Sequence, residues 1–173
     1  MIETERLLLR ECVPEDADVV LRLLNEPSFL ENIGDRGVHT PEEAAAYIIN
    51  GPIASYAEHG FGMYMVLCKE TGEPVGMCGL LRRAQFDHPD VGYAFFPEFW
   101  GRGFASEAAS GVIEHARRTL GVSRVLGIVS PHNSASIQVL EKIGFTFQEH
   151  AVFELDGSEV LVYASTGEEG SAA

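Results

Sequence analysis

The chain has 173 residues, 46% of them apolar, and a formal net charge of −14. That charge would repel a phosphate backbone and so argues against nucleic-acid binding; it suits a cationic acceptor such as an amine, although solubility alone explains it equally well. No apolar run approaches the ~20 residues of a membrane helix, so no membrane partner is expected.

The length fits one domain, taken here as 1–166, with 167–173 (GEEGSAA) as a flexible tail. Acidic residues in the opening MIETERLLLRE stand where a secretion signal needs basic ones, which points to a cytoplasmic protein. Cys12, Cys68 and Cys78 form no C-x-x-C pair and are odd in number, so reduced buried thiols are expected. The six histidines show no ligand-like spacing, and no metal is expected.

In chain order, ERLLLRE predicts a first strand. Pro14-Glu15-Asp16 opens a helix carrying Val19, Val20, Leu23 and Leu24 at helical spacing. NIGDRGVH, with two glycines and no periodicity, reads as a loop. Thr40-Pro41-Glu42-Glu43 is a second helix start, with Thr40 as the cap and Pro41 in the first turn. GMYMVLCKETGEPVGMCGLLRR predicts two strands joined by a turn at Glu70 to Pro74, and VGYAFF a further strand ended by Pro97. From Phe104 to Leu120 apolar residues recur at i, i+3, i+4 and i+7, with Arg117 and Arg118 in the last turn and Gly121 beyond it. RVLGIV is a short buried strand, Asn133 opens an amphipathic helix stopped by Gly144, and FTFQEHAVFEL and EVLVYA close the chain as strands around Asp156-Gly157.

The stretch FPEFWGRGFASEA carries the strongest functional signal. Two glycines two residues apart, between a strand and a helix start, allow a tight turn and close approach of an anion to free amides. A dinucleotide fingerprint needs an acidic residue near the end of the next strand, and RVLGIV has none. A phosphate-binding G-x-x-x-x-G-K-[ST] loop is absent. What remains is either a connecting turn or a cradle for another phosphate ligand.

About thirty residues on, NSASIQVLEKIGF supplies a second constellation. With the glycine loop, it resembles the GCN5-related N-acetyltransferases, and within them the branch of the ribosomal-protein N-terminal acetyltransferases. The family loop [QR]-x-x-G-x-[GA] is matched by Gly103 and Ala105, with Trp100 in place of Gln or Arg. TERLLLR, VGYAFFP and N-x-x-S-x-x-V-L-E-K-I-G-F are similar to that branch too, so the likeness runs from about Thr4 to Ala164.

The resemblance implies an α/β (α+β) fold with a mixed, mostly antiparallel sheet, in which VGYAFF and RVLGIV are parallel neighbours that splay apart. It implies acetyl-coenzyme A as co-substrate, no metal, and direct transfer of the acetyl group to a primary amine, on a protein N-terminus or a small molecule. A coenzyme-binding sensor without turnover is the alternative, and monomer and homodimer both stay open. The implied coenzyme contacts are the main chain at Ala94, Phe95 and Phe96, the loop Trp100, Gly101, Arg102, Gly103, Phe104 and Ala105, and Asn133. Where much of the family keeps a proton-donating tyrosine stands Leu140. The branch offers Ser136 for the departing thiolate instead, although a serine there also serves as a helix-start residue bonding only backbone. Asp90 occupies the place of an acidic base, or simply begins its strand. Asn32, Asp35 and Arg36 are candidate acceptor contacts, in a pocket between residues 28–39 and 149–156.

Overall fold

Leu7–Glu11 alternates buried and part-exposed side chains, as a strand packed on one face must. In the computed structural model, which describes residues 1–166, this strand belongs to an eight-stranded sheet in the order β1-β2-β3-β4-β5-β6-β8-β7. The strands are β1 (Ile2–Glu3), β2 (Leu7–Glu11), β3 (Met63–Cys68), β4 (Pro74–Leu81), β5 (Asp90–Phe95), β6 (Leu126–Val129), β7 (Thr146–Val152) and β8 (Glu159–Ala164). Every pairing is antiparallel except β5 with β6. Those two are parallel and matched at one position only, Asp90 opposite Leu126. Beyond that root they diverge, so the expected splayed gap is present.

Six helices cover the sheet: α1 (Ala17–Leu24), α2 (Pro27–Asn32), α3 (Pro41–Ile48), α4 (Ala54–His59), α5 (Phe104–Thr119) and α6 (Ser134–Lys142). One face buries Leu7, Leu9, Val66, Val75 and Leu80 against Ala108, Ala109 and Val112 of α5 and Leu140 of α6. The other buries Met65, Met77 and Phe96 against Val20, Leu23, Leu24 and Ile48 of α1 and α3. The gap thus opens between two packed layers that hold its walls in place.

The helix ends follow their sequence signals. Thr40 Oγ1 accepts from the Glu43 amide at 3.1 Å, and Glu43 accepts from the Thr40 amide at 3.2 Å, a reciprocal cap at α3. Sequence reading missed β1, with two residues, and the six-residue helices α2 and α4, although Pro27 in the first turn of α2 and the left-handed Gly60 after α4 mark their ends. A π-helical turn over Ile49–Ile53 carries α3 into α4 through Pro52. A widened turn accommodates the ring and the missing amide that an α-helical turn would not.

Candidate active site

Gly101 and Gly103 adopt φ of +76° and +78°, backbone that a side chain resists. They turn the chain from the short 3-10 segment Pro97–Phe99 into α5. The Trp100 amide bonds the Pro97 carbonyl at 3.1 Å, and the Glu107 amide is the first to bond back into α5, to Gly103 at 3.1 Å. Between them the amides of residues 101–106 meet no acceptor among the described residues. Six consecutive amides without an acceptor thus lead into the 16-residue α5, a geometry that can receive an anion.

Two cations that sequence reading did not single out converge there. Arg6 Nη2 lies 3.5 Å, and Lys142 Nζ 3.9 Å, from where a Cβ on Gly103 would sit. Arg6 donates to the Arg102 carbonyl at 2.9 Å and is anchored by Glu107 at 2.7 Å, which also accepts from Thr4 at 2.7 Å. Burial pushes the Glu107 carboxyl up, but the Arg6 amide, the Thr4 hydroxyl and the Arg6 guanidinium outweigh it, leaving Glu107 below its ordinary value. Arg6, Arg102, Gly103, Ser106, Glu107 and Lys142 line a cavity of about 360 Å³. Three of the chain's twelve lysines and arginines, Arg6, Arg102 and Lys142, border it, reversing the local sign of a strongly acidic protein. The Arg102 guanidinium itself lies 5.6 Å from the Phe99 ring centre.

The gap wall on β5 follows from alternation. The Phe96 amide bonds the Val75 carbonyl at 3.0 Å, and the Leu126 amide the Pro89 carbonyl at 2.8 Å. Main-chain groups of even-numbered residues therefore turn to β4, and those of Val91, Tyr93 and Phe95 to the gap. Ala94 and Phe96 are thus directed away from a ligand in the gap. The Phe95 amide faces it, but its carbonyl accepts from the Trp100 indole at 2.9 Å. Trp100 leaves the rest of its ring 55% exposed at the rim. Phe104 is buried under Arg6, whose guanidinium stands 4.7 Å from its ring centre.

Across the gap, Asn133 caps α6 by accepting from the Ser136 amide at 3.2 Å. Its side-chain oxygen is thereby engaged within α6. Ser136 Oγ lies 2.8 Å from the hydroxyl of Tyr93, which also donates to the Ser136 carbonyl at 3.0 Å. Leu140 is 1% exposed and packs on β6, where its Cδ2 would stand 2.5 Å from a Cβ on Gly127. The position of the family's tyrosine therefore faces the core.

Asp90 sits at the closed root of the gap, its side chain 3% exposed and 3.0 Å from Arg83 Nε. Burial raises its carboxyl and Arg83 pulls it back, with burial the larger influence. Arg83 also lies 5.1 Å from the Phe153 ring centre, and Gln85 ties this loop to the β7–β8 hairpin through Val152 and Glu154 at 2.7 and 3.0 Å. On α2 and the loop after it, Asn32 bonds the Ser28 carbonyl, and Asp35 accepts from the Gly37 amide. Burial raises the Tyr47 phenol while Arg36 and Arg83 lower it. Ser158 holds Asp156 below its ordinary value, with Arg36 adding to the effect. The charge of Arg36 thus acts on groups of both α3 and the β7–β8 hairpin. A larger cavity, about 780 Å³, opens along the C-terminal half of α5 by Arg117, Phe145 and Thr166, away from the gap and its hydroxyls.

Comparison with known proteins agrees with this architecture. The family model described as an acetyltransferase (GNAT) domain matches residues 6–146. The N-acetyltransferase YoaA of Bacillus subtilis (strain 168), itself uncharacterized, is 31% identical over 146 residues, covering 84% of this chain and 82% of that one. An acetyltransferase from Agrobacterium tumefaciens str. C58 superposes with a TM-score of 0.79 at 29% identity, over 94% of this chain and 92% of that one. RimL, a ribosomal alpha-N-protein acetyltransferase solved with coenzyme A, shares the fold with a TM-score of 0.79 at 20% identity, over 93% and 94%. A glycine loop with free amides, a splayed parallel strand pair and a family match across most of the chain converge: this protein belongs to the GNAT family of acetyltransferases.

Proposed function

We propose that this acetyltransferase moves the acetyl group of acetyl-coenzyme A directly to a primary amine, on a protein N-terminus or a small molecule. The observation that carries this reading is the run of free amides from Gly101 to Ser106 beside Arg6 and Lys142, which suits a pyrophosphate. The pantetheine arm would then lie in the gap, pairing as an added strand with Val91, Tyr93 and the Phe95 amide.

Transfer requires a neutral amine and a protonated leaving group. As the carbon–sulfur bond breaks, sulfur keeps the electron pair and takes the Ser136 proton. Ser136 takes in turn the proton shed by the acylated nitrogen, so neither hydroxyl is left charged. Ser136 suits this shuttle because its hydroxyl bonds no main-chain group of its own helix among the described residues; Asn133 does the capping. Asp90 is assigned the earlier proton, the one an ammonium acceptor loses through water to become neutral, while the proton of the acylated nitrogen goes by way of Ser136. Asp90 stands three residues, roughly 10 Å of strand, from Tyr93, and burial raises its carboxyl toward the working range of a base.

The test is an acceptor screen at fixed acetyl-coenzyme A, following release of free thiol. Peptides with a free or blocked N-terminus form one arm, and polyamines and amino sugars the other. Release above hydrolysis with an amine supports transfer. Tight coenzyme binding with no amine-dependent release supports a sensor instead.

A further inference from the structure

Tyr93 lies in the strand motif VGYAFFP with no role yet assigned to it, and it is the one β5 side chain whose polar tip bonds α6 across the splayed gap. Its hydroxyl meets both the carbonyl and the hydroxyl of Ser136, at 3.0 and 2.8 Å. The remainder of α6 is seated on β6, through Leu140 over Gly127. The first turn of α6 is therefore tied to one wall of the gap and its later turns to the other. We propose that Tyr93 is a positioning residue for acetyl transfer: it fixes the Ser136 hydroxyl in the single rotamer that faces the departing sulfur. This rests on the reading of Ser136 given above.

The chemistry restricts Tyr93 to that part. A helix-start serine ordinarily bonds nearby main chain, and rotation among three staggered wells is open to it. Here a two-bond clamp from a phenol on a neighbouring strand selects one. The phenol has one proton and two acceptors within reach. While it donates to the Ser136 carbonyl, the serine can point its own proton at the phenol oxygen. When it donates to Ser136 Oγ, the serine proton is released toward the gap. The change needs only rotation of a hydroxyl and moves no heavy atom. Burial, partly offset by Ser136, pushes the Tyr93 phenol up to about 12, so it is a neutral donor at any working pH. Neither a buried phenol nor a serine hydroxyl, a weaker acid still, gives a thiolate its proton outright, so the proton must be replaced as it leaves, and in this reading the amine reloads Ser136. Tyr93 therefore keeps its proton, and the proton for sulfur comes from the amine through Ser136.

The experiment compares wild type, Tyr93→Phe, Ser136→Ala and the double variant. Thiol release from acetyl-coenzyme A is followed with an accepted amine and, where none is accepted, with water alone. Tyr93→Phe is expected to lower kcat about tenfold or more with the KM for coenzyme within about twofold, since phosphate and pantetheine contacts are untouched. Adding Tyr93→Phe to Ser136→Ala should cost nothing further, because one acts through the other. The side-chain carbon shift and couplings of Ser136, read by NMR without any acceptor, should report one rotamer in wild type and averaging in Tyr93→Phe. Unchanged kcat, an equal loss in the Ser136→Ala background, or a single Ser136 rotamer in Tyr93→Phe each overturns the proposal. Wild-type turnover by Ser136→Ala removes the serine reading itself. Slow Ser136→Ala beside fast Tyr93→Phe removes Tyr93 alone. If Tyr93→Phe does not fold, a fluorinated tyrosine at position 93 preserves the shape and makes the phenol more acidic. The pH profile of kcat should then gain a falling alkaline limb, and an unaltered profile overturns the assignment.

Discussion

The half of the cleft proposed for the coenzyme is built mainly from main chain: left-handed glycines, the free amides that follow them, and the strand edge of Val91, Tyr93 and Phe95. The half proposed for the acceptor joins side chains of separate segments, with Arg36 from one loop, Tyr47 from α3, Arg83 and Asp90 around another loop, and Phe153 from the last hairpin. Backbone groups recognise a pyrophosphate whatever residues flank the glycines. A side-chain wall can be rewritten residue by residue while the sheet stands. One scaffold can thus keep its donor and vary its acceptor.

Four substitutions probe that division. Gly103→Val has the largest expected effect. It puts a branched side chain at φ +78° and into the cradle, so coenzyme affinity should fall on the order of a hundredfold, the equivalent of losing one or two charge-assisted hydrogen bonds. Calorimetry checks it, with a melt to show that the fold survives a cost of about 1–2 kcal/mol for the strained backbone. Normal affinity would move the cradle elsewhere. Next, Leu140→Tyr restores the family's usual residue but overfills a site already pressed on Gly127. It should cost about 1–3 kcal/mol of stability and raise no activity. Faster thiol release would mean that position 140 reaches the gap after all.

Arg36→Ala should separate the halves. Arg36 is exposed and forms no ion pair among the described residues, so stability should hold and the KM for the amine should change about two- to fivefold while coenzyme affinity stays constant. A change in coenzyme affinity would break the division. The smallest effect belongs to Glu107→Gln. Because Glu107 is depressed below 4.5 in the fold, it stabilises above its unfolded value, and that stabilisation is lost as pH falls through the folded one. The melting-point advantage of wild type over Glu107→Gln should be present at pH 7 and shrink on acidification below about 4.5.

The same division explains what could be read from the sequence. The longer strands, the helix caps at Thr40 and Asn133, and the loop with Gly101 and Gly103 follow from local patterns, whereas the splayed pair was implied by the family resemblance. Residues that complete the site by long-range approach do not. Arg6 bonds the Arg102 carbonyl from 96 positions away, and Tyr93 meets Ser136 across 43. Tyr93 did leave a trace: a tyrosine within an apolar run needs a partner for its hydroxyl. Lys142 left none, since a lysine in the last turn of a helix is ordinary. Main-chain orientation on β5 is invisible without the register, which is why Ala94 and Phe96 were expected beside Phe95. The proposed tail at 167–173 lies outside the described residues.

The central claim is that the free amides of the glycine loop receive the phosphates of the coenzyme. Amide chemical shifts during titration with coenzyme A test it most directly. The account predicts that the signals of Gly101 to Ser106 move most, those of the gap-facing Tyr93 and Phe95 next, and those of the β7–β8 hairpin least. Loop signals that stay still while the C-terminal half of α5 responds around Arg117 would contradict it, placing the coenzyme in the larger cavity.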